Sequence, residues 1–253
     1  MYPVYMLPIF KSHYSIGKSI LTLNPPQSSS KDGPDSIFDL ALDNKLKELF
    51  LIEDVPTGFL AARKTSLELD MHLIFGLRML FSCESKGDES VHKSIVLARS
   101  DKGCELLNLI YSDINCNMNG VGTYKLLKKY WNNDDLLLCV PFYDSFLFEN
   151  SFKFSSCAPD FNFCFPIFFI ENNGLPFDSY LSNLVLDFCK KFNYEHLLAK
   201  SIYYNKRSDL EAFQAYKCIC NRSFGRSRSL SNPMLDHFGS NEFCFESWLE
   251  YKK

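Results

Sequence analysis

Glycine is scarce, 11 in 253 residues, which speaks against a Gly-rich phosphate cradle. No Cys-x-x-Cys pair occurs among the 10 cysteines, removing the commonest zinc and thioredoxin-like spacings. No apolar run reaches the roughly 18 residues a membrane span needs. The longest, Phe161 to Ile170, is broken by Asn162 and Pro166 and followed by Glu171. Met1-Tyr2-Pro3 carries no secretory signal, so a cytoplasmic protein is expected, with no membrane partner. In that compartment Cys83, Cys104, Cys116, Cys139, Cys157, Cys164, Cys189, Cys218, Cys220 and Cys244 read as buried reduced thiols. A net charge of −3 excludes coating nucleic acid by bulk electrostatics but leaves room for local basic patches.

What is present is ordinary globular material rich in rings. Hydrophobic residues are 46% and charged residues 23%, within globular norms, and 24 Phe with 13 Tyr imply an aromatic core. The length suits one α/β barrel, about 250 residues, so a single domain over 1–253 is expected. Strand runs are expected at Val4–Phe10, Leu49–Ile52, His72–Leu80, Ser94–Ala98, Leu136–Val140, Phe161–Ile170 and Leu197–Tyr204. Helical spacing marks a helix capped by Asp35 or Ser36 and carrying Ile37, Leu40, Ala41, Leu46 and Leu49. Further helices are expected at Phe59–Leu69, after a cap at Asp101, and at Thr123–Tyr130, Ser179–Phe192 and Asp209–Cys220. A Pro/Ser-rich loop at 22–35 separates the first strand from the first helix. This βαβ rhythm predicts a parallel sheet, and no linker or internal repeat interrupts it.

Several short patterns compete as sites. Gly17-Lys18-Ser19 matches the tail of a phosphate loop, but Ser12 stands where the first glycine belongs and Pro25-Pro26 stops a following helix, so a chance tripeptide in a loop is expected. His13 at a strand end, oriented by Asp54, has the makings of a general base, against which stands a plain polar loop residue. His72, His196 and His237 lack spaced partners, and Cys218-Ile219-Cys220 reads as core thiols. Lys125, Lys128, Lys129 and Trp131, and separately Arg222, Arg226 and Arg228, are possible nucleic-acid contacts, weighed against solvated surface.

Taken in order, Ser12-His13-Tyr14-Ser15, Phe75-Gly76-Leu77-Arg78, the block Val91 to Ser112, Ser208 to Phe213 and His237 to Ser247 resemble successive blocks of the PHP (polymerase and histidinol phosphatase) domain. The version they resemble opens the bacterial DNA polymerase III alpha subunit. The resemblance implies a distorted (β/α)7 TIM-like barrel spanning the whole chain, with 222–253 as an extension that supplies the closing strand. In active members, histidines and carboxylates at strand ends hold divalent metals that hydrolyse phosphoesters. Aligned on Tyr14-Ser15, the first ligand positions here are Leu7, Ile9 and Lys11; the later blocks put Val55 in Glu53-Asp54-Val55, Arg78 in Gly76-Leu77-Arg78 and, anchored on Asp209, Ser201 and Tyr203 at the others. His13, Asp54 and His92 are the remnants.

The resemblance therefore implies no metal, no cofactor and a catalytically silent component of a DNA replication complex. Its partners would be a replicative polymerase or a proofreading exonuclease, with DNA contacted through the complex. The chain would be a stand-alone subunit or part of a split polymerase, and its Asn-, Lys-, Phe- and Ser-rich vocabulary suggests an AT-rich, viral genome. One alternative is an active phosphoesterase or 3'-5' exonuclease using Zn or Mn on His13, Asp54, His92 and Asp144. Another is a structural or host-interaction protein reusing the barrel.

Overall fold

The structure is a computed structural model and describes residues 6–26, 28, 33–83, 90–220 and 239–252. The chain divides into two compact units, one built from Met1–Leu73, Asn172–Pro176 and Ala199–Lys253, the other from Ile74–Glu171 and Phe177–Leu198. Both are α/β. Arg222, Arg226, Arg228 and His237 lie outside the described residues, as do Val4 and Tyr5 of the expected first strand.

In the first unit, strand β1 (Leu7–Phe10) is flanked by β2 (Glu48–Glu53) and by the second half of β8 (Glu195–Ile202), both parallel to it. All four β1 residues are buried, as expected of a central parallel strand covered on both faces. Helix α1 (Ile37–Asp43) is capped by Ser36, whose Oγ accepts from the Phe38 N–H at 3.2 Å. It ends at Asp43, so Leu46 lies past the helix and Leu49 belongs to β2. A turn of 3-10 helix at Pro56–Gly58 leads into α2 (Phe59–Glu68), and the unit is completed by α7 (Leu210–Cys220) and α8 (Phe245–Lys252). The closing strand expected in 237–247 is only a one-residue bridge, Tyr204 with Cys244, before α8 starts. Trp248 on α8 is 1% exposed and its indole N–H donates to the Met6 carbonyl at 2.8 Å, anchoring that helix beside β1.

The second unit departs from the parallel rhythm. Strand β3 (His72–Ser82, of which Ile74 onward lies here) pairs antiparallel with β4 (Val91–Ala98), and β4 pairs antiparallel with β6 (Leu136–Val140). The stretch between β3 and β4 is too short for the dozen or more residues of a parallel crossover, so only antiparallel pairing was open to them. Parallel pairing resumes from β6 to β7 (Ile167–Ile170) and from β7 to the first half of β8. Strand β7 is much shorter than the Phe161–Ile170 run suggested, because Pro166 precedes it.

Helix α3 (Asp101–Asn117) is capped by Ser100, not Asp101: Ser100 Oγ accepts from the Gly103 N–H at 3.0 Å. A Cβ at Gly103 would run into the Asp135 carbonyl, which explains a glycine in that first turn. Helix α4 (Tyr124–Tyr130) follows the short strand β5 (Val121–Thr123), and α5 (Phe146–Phe152) and α6 (Asp178–Phe192) follow β6 and β7. The aromatic core is found here. Phe146, Phe161, Phe168, Phe188 and Tyr194 make mutual ring contacts at 5.4–6.4 Å. Among the described residues no helix is long and apolar enough to cross a membrane.

Candidate functional site

At the carboxyl ends of β1 and β2 the first unit gathers a polar cluster. The chain leaves β1 at Phe10 and turns at once, so Lys11, Ser12 and Ser15 meet Glu53 and Asp54 as these leave β2. Lys11, 6% exposed, donates from Nζ to Asp54 Oδ1. Glu53 is fully buried. One carboxylate oxygen accepts from the Ser12 N–H at 2.9 Å and the other from Ser15 Oγ, while Ser15 Oγ accepts from the Asp54 N–H at 2.8 Å. Burial pushes the Glu53 carboxyl up, against the opposing pull of the Lys11 charge and the serine hydrogen bonds.

The remaining expected residues of this unit are not gathered into that cluster. Leu7 and Ile9 are buried on β1, and Ser201 on β8 stands in register with Ile9. Tyr203 stacks between Phe213 and Phe243, at 5.9 and 5.4 Å. His13 turns Nδ1 to the Leu21 carbonyl at 3.3 Å and lies against Tyr14, so the His13–Asp54 pairing expected of a general base is replaced by Lys11–Asp54. Residues 15–18 form a turn closed by Lys18 N–H to Ser15 O, and no helix starts at Lys18, so Gly17-Lys18-Ser19 is no phosphate loop.

In the second unit Arg78 donates to the Tyr143 carbonyl at 2.8 Å and reaches Asp144 Oδ2 at 3.4 Å, where Lys93 Nζ also donates at 2.9 Å. Burial would raise the Asp144 carboxyl, but the two cations outweigh it and hold the group below the usual carboxylate range. Asp144 sits at φ 59, a left-handed turn that Asp tolerates.

His92 lies elsewhere in the second unit. It is 1% exposed, with Nε2 at 2.7 Å from Tyr124 Oη and Nδ1 at 3.5 Å from Cys157 Sγ. Cys157 is disulfide-bonded to Cys83, which corrects the expectation of ten reduced thiols. Three of the remaining eight are not fully buried: Cys116 is exposed, and Cys104 and Cys220 are partly so. The pairing was hidden because its sequence separation is 74, with no local spacing to betray it. Half of the geometry follows from the hairpin. Phe81 pairs with His92, and the two-residue period of a strand returns Cys83 to the Phe81 face, beside the imidazole.

A pocket of about 360 Å³ opens next to this group, bordered by Cys83, Tyr124, Asp160 and Phe163 together with Lys125 and Lys128. Two of the lysines weighed as nucleic-acid contacts thus line a cavity, whereas Lys129 lies near Asp113 and Trp131 packs on Phe163. Ligand-capable atoms of Cys83, His92 and Cys157 lie within 4.8 Å of one another, the one such His/Cys/Asp/Glu grouping among the described residues. No family model matches the chain, and no curated protein matches it.

Proposed function

We propose that the chain is a catalytically silent, PHP-like module of a DNA replication complex, a (β/α)7-type barrel working through contacts with a replicative polymerase or a proofreading exonuclease. The observation that carries the reading is what occupies the aligned ligand positions. The family's reaction needs neutral imidazoles and carboxylates around divalent ions, whereas here Lys11 and Arg78 are cations already engaged with Asp54 and Asp144. Leu7 and Ile9 offer no donor, and Tyr203 is committed to ring stacking. This donor set does not fit the family's metal cluster. Within the first unit, the flanking of β1 by two parallel strands, β2 and β8, is compatible with such a barrel.

The test is affinity capture with the full chain from its native host, paired with a nuclease assay in Mn2+ and Zn2+. Recovery of a replicative polymerase or exonuclease with no metal-dependent hydrolysis is expected. Recovery of no replication protein, or a nuclease activity abolished by His92→Ala, overturns the reading.

A further inference from the structure

The grouping of Cys83, His92 and Cys157 has a geometry that a disulfide alone does not require. A zinc ion holds thiolate sulfur at about 2.3 Å and imidazole nitrogen at about 2.05 Å, and a tetrahedral angle between them sets a sulfur–nitrogen edge of about 3.5 Å. The Cys157 Sγ to His92 Nδ1 distance is 3.5 Å. All three side chains are buried. We infer that, once Cys83 and Cys157 are reduced, these three residues bind a borderline-soft divalent cation such as Zn2+, so that the disulfide and the metal are alternative occupants of one site. This inference does not rest on a replication role.

The surroundings fit a ligand imidazole. If Nδ1 donates its lone pair to the metal, the ring proton must sit on Nε2, and Tyr124 Oη stands 2.7 Å away to accept it. Tyr124 can then pass its own hydroxyl hydrogen to Ser94 Oγ at 2.8 Å. Such an outer partner fixes the tautomer and ring plane of a metal-bound histidine. Three protein ligands leave one tetrahedral position, which a water from the adjoining pocket bordered by Cys83 and Tyr124 would fill.

The exchange balances as follows. A dithiol reductant gives two electrons and two protons to the Cys83–Cys157 bond, forming two thiols and its own disulfide. Zn2+ then displaces one proton from each thiol, and the sulfurs part to about 3.8 Å, the tetrahedral edge for two thiolates. In the opposite direction a small-molecule disulfide takes two electrons from the two thiolates and, with two protons from solvent, leaves as its dithiol, while the sulfurs rejoin and the metal is released.

The test uses the intact chain and Co2+ as a spectroscopic substitute for Zn2+. After treatment with a dithiol and its anaerobic removal, one Co2+ per chain should bind, with thiolate-to-cobalt charge-transfer absorption and tetrahedral d–d bands. The oxidised protein should show neither. Cys157→Ser should abolish the charge-transfer signal at this site, Cys116→Ser should leave it intact, and Tyr124→Phe should weaken affinity by about tenfold or more. Because a cysteine variant can misfold, the wild-type chain supplies a second reading. Bound Zn2+ should slow alkylation of Cys83 and Cys157, mapped by mass spectrometry, relative to the metal-free reduced protein. Equal Co2+ binding before and after reduction, charge transfer that survives in Cys157→Ser, or no protection of these two cysteines overturns the inference.

Discussion

Lys217 on α7 gives the sharpest test of the packing in the first unit. It is 1% exposed, its Nζ lies 5.1 Å from the Phe213 ring centroid, and Lys18 is a nearby like charge. Burial first, and then Lys18, lower its ammonium from 10.5 to about 7. In the unfolded chain the same group holds its proton to near the ordinary value. Between pH 7 and 10 the unfolded state therefore binds more protons, and folding stability must rise with pH through that window. At 1.36 kcal/mol per tenfold in proton affinity, the separation bounds the cost of burying the charge at about 5 kcal/mol.

Lys217→Met keeps the stem against Phe213 and removes the charge. At pH 7 we expect the variant to be more stable than wild type by about 2 kcal/mol, below the bound because a ring-facing ammonium retains some compensation. The gap should shrink by about 1 to 2 kcal/mol by pH 9.5, since the slope cannot exceed 1.36 kcal/mol per pH unit for one proton. Urea denaturation of both proteins at several pH values measures it, and comparing the two cancels the other titrating groups. A gap that does not change with pH, or a variant less stable than wild type at pH 7, would refute the reasoning.

Lys11→Met should cost about 2 kcal/mol at pH 8 and less at pH 5, as read by denaturant melts. Glu53 has a folded-state value already raised, so its contribution is lost as pH rises through it, and removing the Lys11 charge moves that loss to higher pH. In Arg207→Met the paired acids are released. Arg207 hydrogen bonds hold Glu242 at about 2, so that stability is present above about 4.5 and lost as pH falls toward 2. The gap between variant and wild type should close over the same window in acid titrations followed by circular dichroism. Gly103→Ala should destabilise by about 2 kcal/mol in thermal melts, because the new methyl meets the Asp135 carbonyl, a backbone group that cannot swing away. Reducing the Cys83–Cys157 bond without metal should cost up to about 4 kcal/mol, the loop-entropy limit for a separation of 74 residues, and added Zn2+ should recover part of it.

Sequence alone reached the α/β class, the core and most element positions, because these rest on local rules. Apolar periodicity marked β3, β4, β6, α2 and α6 to within a few residues, and Ser36 and Thr123 cap helices where polar residues precede apolar stripes. Boundaries slipped where a neighbour competed, as when Ser100 displaced Asp101 as cap. The direction of the β3–β4 pair was less legible, since a short connection specifies antiparallel pairing only once the two strands are known to be neighbours.

The sites divide in the same way. Sequence could show that cations stand at Lys11 and Arg78, because that needs only residue identity. It could not show that each would find a carboxylate, that Glu53 would sit buried among serine donors, or that Cys83 and Cys157 would close on His92. Those partners are 43, 66, 38 and 74 residues apart along the chain. Contacts at such separations are set by which strand ends and loops the sheet brings together, and no local pattern encodes them.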